Sequence, residues 1–390
     1  MTQFDFDTPI ERRGTNAMKW DALTSRYDMD PENSIAMWVA DMEFRAPPSV
    51  RERLQQMVDH GIFGYFGDDS DYRKAVVDWM DSRHGWSLDP AHIYTTNGVI
   101  QGLSASIRAF SEPGDGVIVF APVYHVFGQL VRATSRDLVE SPLHIRQDGR
   151  YEMDLDALQA NLKGHEKIVI FCSPHNPGGR VWSKEEIAAV GAFCEKNDLL
   201  LISDEIHHDL VMPGNEHHVT ATVIPDLAHR LITLSSASKT FNLAGGHVGQ
   251  TTISDPKLRA TFEKKKASDA VGPNSFGIVM TQAAYEGGED WLEELITYID
   301  SNRQYFDAEI GKIPGAKPMP LQATYLSWVD FEGCGHQHDE TIRRVEEEAK
   351  IACNYGHTFG LGGDGKLRFN LACPRSQVED AVGRLQRALA

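Results

Sequence analysis

Short apolar runs rich in β-branched residues recur through the middle of the chain: Gly116–Ala121, Lys167–Cys172, Leu199–Ser203 and Leu231–Leu234. Nearly every position in them is hydrophobic. The alternation of a half-exposed strand is missing, which predicts burial on both faces. Stretches with helical spacing separate these runs. Ser183–Asn197 opens on Ser183 with Glu186 three residues later, the pattern of a capping box. A further helical pattern starts at Thr96–Asn97–Gly98–Val99–Ile100 and runs to about Phe110. Strands alternating with helices predict an α/β fold, a mostly parallel sheet covered by helices in three layers.

The flanks read differently. Residues 1–45 show no clear period and are rich in Asp, Arg and Trp. Beyond Gly287, the amphipathic stretch Asp290–Ile310 leads to short strands at Thr324–Val329 and Lys366–Leu371, with a helical segment His338–Ala352 between them. The expected division is a segment 1–45 contributing to the small domain and active site, a large domain 46–286, and a smaller α+β domain 287–390.

Composition narrows the function classes. Of 390 residues, 41% are hydrophobic and 24% charged, as in ordinary globular proteins. Lys and Arg number 38 against 56 Asp and Glu, a formal charge of −18 that would repel phosphate. Neither nucleic acid nor an anionic membrane is an expected partner, and Lys264–Lys265–Lys266 reads as a solvated helix face. No apolar run is long enough to span a bilayer, and the acidic start MTQFDFDTPIERRG is unlike a signal peptide. A cytoplasmic location is expected. The five cysteines are scattered and never spaced as CxxC, which fits a reducing compartment. His207–His208–Asp209 and His217–His218 offer no closed ligand set, so no metal is expected. Gly360–Lys366 (GLGGDGK) lacks the spacing and the following hydroxyl residue of a P-loop.

Three loops carry candidate chemistry, each following a predicted strand, where α/β folds present functional groups. Ser235–Thr240 (SSASKT) places Lys239 among small hydroxyl residues; a polar turn is the bland alternative. Ile202–His207 (ISDEIH) ends a strand on an acidic pair, which could be a helix cap. Asp204 in that position could instead keep a pyridine nitrogen protonated, making the ring an electron sink. Cys172–Gly179 (CSPHNPGG) contains a common turn sequence, yet Asn176 could donate to a phenolic oxygen of the same ring.

Taken together, SPHNPGG, SDEIHHDL and SASKTFNLAGG resemble, in order and spacing, the fold-type I enzymes dependent on pyridoxal 5′-phosphate (PLP), the aspartate aminotransferase superfamily. The likeness extends over nearly the whole chain. RRGTNAMKWD, WVADMEF, PVYHVF and RFNLACPR are similar to its MalY/PatB-type cystathionine β-lyase (C–S lyase) branch.

This resemblance implies a PLP-transferase-like large domain, PLP as cofactor, and specific roles. Lys239 would hold the cofactor covalently and act as acid and base at Cα. Asp204 would pair with the ring nitrogen, Asn176 and His207 would contact O3′, and Tyr124 would stack on the ring. Gly98, Val99 and Ile100 at a helix start would cradle the phosphate, with Ser236 and Ser238 as hydroxyl donors. Tyr65 would reach the phosphate of a neighbouring subunit, implying a homodimer with shared active sites. Arg368 would bind the α-carboxylate of an amino-acid substrate as a bidentate donor, with Asn16 and Trp38 lining the channel. One departure stands out: His247 takes the place, eight residues after Lys239, where many aminotransferases carry an arginine for the phosphate. The implied reaction is β-elimination from L-cystathionine or a related cysteine S-conjugate. Transamination is the alternative, and a regulatory role without catalysis a weaker one.

Overall fold

The computed structural model describes residues 3–389. Its first strand, β1 (Ile35–Ala36), is short; the next eight build the main sheet. They are β2 (Ile93–Thr96), β3 (Gly116–Ala121), β4 (Asp137–Ile145), β5 (Tyr151–Met153), β6 (Glu166–Cys172), β7 (Leu200–Asp204), β8 (Leu231–Ser235) and β9 (Gly249–Thr252). The spatial order is β2-β9-β8-β7-β6-β3-β4-β5. The neighbours from β8 through β4 pair in parallel, while β9 runs antiparallel to both β2 and β8.

The four apolar runs are the centre of this sheet, and their side chains divide between two cores. Val117, Val119, Ile168, Ile170, Ile202 and Ile232 pack on one face. Ile118, Phe120, Val169, Phe171 and Leu201 pack on the other. Burial on both faces is the physical reason the sequence lacks alternation there. The helix Lys184–Lys196 is closed by Ser183 and Glu186 in the expected reciprocal cap, a feature worth about 1 kcal/mol.

A four-stranded antiparallel sheet follows in the order β10 (Lys317–Pro318), β11 (Leu326–Asp330), β14 (Lys366–Asn370), β13 (Asn354–Tyr355). The helix Glu289–Ile310 joins the two regions. Trp291, Leu292, Leu295 and Ile299 enter the core around Phe241, whereas Phe306 and Ile310 enter the core under the smaller sheet.

Two expectations for this region are corrected. The strand expected from Thr324 begins at Leu326, because Thr324 has φ +72° and its hydroxyl accepts the Leu326 N–H, turning the chain. The segment His338–Ala352 is α-helical only to Arg343 and continues as a π-turn to Glu348. Lys350 at φ +56° then breaks it. Ile351–Ala352 form strand β12, paired in parallel with β1. That pairing forms a two-stranded sheet of its own and ties the N-terminal segment to the C-terminal region.

Candidate active site

The carboxyl ends of the parallel strands converge on a cavity of about 570 Å³. β8 leads into the short helix Ala237–Thr240 that carries Lys239, β7 ends on Asp204, β6 leads to Asn176, and β3 leads to Tyr124. All four residues line the cavity. A second cavity of about 550 Å³ adjoins it and is lined by Arg368, Trp38, Tyr27 and Asn354. Ala40, Tyr124 and Lys239 belong to both.

Burial dominates the electrostatics. The Lys239 amine donates to the Ala40 carbonyl at 2.6 Å, and burial lowers its pKa to about 8. Asp204 receives one backbone N–H, from Ile206 at 3.1 Å. Burial raises its carboxyl to about 7, since a single donor replaces little of the lost hydration. His207 is held well below the usual imidazole range by burial, with Lys239 and Arg368 adding to the effect. It is neutral, and its Nδ1 is buried without a partner. Burial raises the Tyr124 phenol, which therefore keeps its proton at neutral pH.

Arg368, on β14, donates to Asn176 Oδ1 at 2.9 Å and to the Trp38 carbonyl at 3.1 Å, and also reaches Asn354 Oδ1. Its Nε has no acceptor. Burial brings its pKa down to about 10. Among the described residues no carboxylate pairs with Arg368 and no cation pairs with Asp204. A buried cation and a buried anion without ionic partners are costly. Each would be stabilised by an opposite charge placed beside it.

The start of the helix Val99–Phe110 lines the first cavity through Gly98, Val99 and Ile100. Gly98 has φ +80°, and a Cβ built there would meet nothing within 4 Å; a helix start lining a cavity is suited to an anion. Gly249 allows this turn to sit against the sheet, because a Cβ there would come within 2.6 Å of Val99 N. His247 lines the cavity nearby.

The remaining candidates divide. Ser238 lines the cavity, whereas Ser236 stands behind it, donating to the Val248 carbonyl at 2.6 Å and accepting the Ser238 N–H. Trp38 contributes its carbonyl to Arg368 and anchors its indole on the Lys19 carbonyl. Asn16 is exposed, at φ +62°, in a neighbouring cleft with Asp41 and Met42 instead of at the Lys239 cavities. Tyr65 is fully exposed and does not enter the cavity of its own chain. Sequence reasoning passed over Ala40, Tyr325 and Asn354. Tyr325 donates to the Ala40 carbonyl at 2.9 Å, and neither it nor Asn354 sits in a motif that marks it.

Known proteins share this architecture. The sequence profile described as aminotransferase class I and II matches residues 33–385. Cystathionine beta-lyase PatB of Bacillus subtilis is 37% identical over 99% of this chain and 100% of its own. Protein MalY of Escherichia coli is 31% identical, with 99% of each chain covered. Cystalysin from Treponema denticola, whose crystal structure contains a pyridoxal 5′-phosphate cofactor, superposes with a TM-score of 0.95 at 35% identity, over 99% of this chain and 98% of its own. The chain belongs to the aminotransferase class I and II family, in the branch that holds PatB and MalY.

Proposed function

We propose that this chain is a PLP-dependent carbon–sulfur β-lyase, releasing a thiol, pyruvate and ammonia from L-cystathionine or a related cysteine S-conjugate. The observation that carries the reading is the pair of unpartnered buried charges, Asp204 and Arg368, on the two cavities that share Lys239. The residues fit the cofactor: a carboxylate in need of a cation, an amine of lowered basicity, neutral donors at Asn176 and His207, and a helix start open to a phosphate. When bound, PLP supplies an aldehyde that condenses with amines and a ring that accepts electrons from Cα.

Within that arrangement Asp204 would pair with the ring nitrogen and favour its protonated form, and a cation there would in turn favour the ionised carboxylate. Val99, Ile100 and Ser238, which line the cavity, would hold the phosphate. Arg368 grips the α-carboxylate through its planar fork. Lys239, once its amine is free, takes the Cα proton, and its acidity near neutrality suits it to give one back. Lys239 or Tyr124 delivers a proton to the sulfur leaving Cβ. The likeness to PatB and MalY supports elimination over transamination. Supplying cystathionine without any keto acid tests this: catalytic pyruvate and free thiol are expected, and turnover that requires a keto acid would make the chain an aminotransferase.

The chain is further proposed to act as a homodimer, with Tyr65 reaching the partner's phosphate site. The exposed run Ile62, Phe63, Tyr65 and Phe66 supports that reading. No helix of the described residues is long and apolar enough to cross a membrane. All five cysteines are free, which fits the expected reducing cytoplasm.

The lowered basicity of Lys239 makes a kinetic prediction. Only the unprotonated amine captures an aldehyde. The rate of PLP uptake by the cofactor-free protein should therefore rise about tenfold per pH unit up to about pH 8 and level off above it. Following the visible absorbance between about pH 6 and 10 checks this. A rise continuing towards pH 10 would match an ordinary exposed lysine and count against Lys239.

A further inference from the structure

Outside the two cavities that share Lys239, the fold gathers a second polar cluster that the proposed reaction does not use. His84 comes from the end of the helix Ser70–His84, while His208 and Asp209 follow β7. The three offer one ligand atom each within 4.8 Å of one another. They line a separate cavity of about 780 Å³ together with His217, Glu216 and Glu293. Sequence spacing alone gave no closed set, because His84 is supplied by a distant helix.

The hydrogen bonding fixes which nitrogens are free. His208 Nδ1 lies 2.5 Å from the Glu205 carbonyl. A carbonyl only accepts, so Nδ1 carries a proton and Nε2 is the nitrogen turned towards the cluster. His208 Nε2 lies 3.2 Å from Asp209 Oδ2, is buried and makes no hydrogen bond. Asp209 itself accepts from the Trp79 indole N–H at 3.1 Å and the Thr240 hydroxyl at 2.7 Å, as a ligating carboxylate is supported from behind. An imidazole fixed by a backbone carbonyl, with its other nitrogen turned to a carboxylate, is the usual outer-shell support of a metal ligand. His84 Nε2 stands 2.8 Å from Asp209 Oδ1. His217 holds Nε2 on Glu205 at 2.9 Å and leaves Nδ1 buried without a partner.

Around the cluster, Asp209, Glu205, Glu216, Glu289 and Glu293 outweigh Arg83, which spans Asp209 at 3.5 Å and Glu293 at 2.7 Å. We propose that His84, His208 and Asp209 bind one divalent first-row transition-metal ion, with the remaining coordination position open to the cavity. Two imidazoles and one carboxylate suit zinc or a metal of similar preference.

Equilibrium dialysis of the PLP-loaded protein against zinc, followed by elemental analysis, tests the site. The wild type is expected to take up one zinc per chain. His208→Asn and His84→Asn should each weaken zinc binding at least about tenfold. His338→Ala, at the exposed His338–His357 pair, should leave that uptake unchanged. Zinc X-ray absorption on the His338→Ala protein should show at least two imidazole ligands, a readout that does not depend on whether the other two variants fold. No zinc uptake by the wild type, full affinity in both asparagine variants, or a spectrum without imidazole would each overturn the proposal.

Discussion

Lys239→Ala should leave a folded protein that has lost the visible absorbance of its covalently held cofactor and nearly all turnover. The fold should tolerate the change, because the amine makes a single hydrogen bond, to the Ala40 carbonyl, and burial already disfavours its charge. Removing it takes away both the attachment point and the base at Cα. Loss of a positioned acid–base group alone costs roughly 10²–10⁴-fold, and loss of covalent attachment adds to that. Turnover should therefore fall by at least about 10³-fold. Absorbance spectra and pyruvate release measured on the same preparation decide the matter. A variant that retained both would place the attachment on another amine.

Arg368→Ala should act on substrate and not on cofactor. Its guanidinium binds Asn176, Trp38 and Asn354 within this chain and has no anionic partner of its own. The substrate carboxylate would supply one, and truncating one side of a buried, hydrogen-bonded charge pair costs about 2–5 kcal/mol. That corresponds to a KM raised by about 30-fold or more, with the visible absorbance unchanged. Arg368→Lys should recover little of the loss, since an ammonium cannot reproduce the two-pronged geometry. An unaltered KM for cystathionine in Arg368→Ala would move carboxylate recognition elsewhere.

What the sequence disclosed followed from local physics. The continuous apolar runs marked the central strands because both faces of that sheet are buried, and the strand ends then located the loops bearing Asn176, Asp204 and Lys239. The Ser183–Glu186 cap was legible because its chemistry spans three residues. Other features depended on long-range contacts. Ala40 matters through its carbonyl oxygen, an atom every residue has, so no side-chain pattern could mark it. Asn354 meets Arg368 only because β13 pairs beside β14. Thr324 looked like strand until its own hydroxyl turned the chain. Asn16 was expected at the channel, but a left-handed bend carries it into the next cleft.

The run from Trp38 to Asp41 touches almost everything of interest. Its carbonyls are held in turn by Arg368 at Trp38, by Asn370 at Val39 and Asp41, and by Lys239 and Tyr325 at Ala40. Four consecutive peptide groups thus tether strand β14 to the lysine. The segment that holds Arg368 through the Trp38 carbonyl is the same one that, two residues later, supplies the acceptor for the free Lys239 amine.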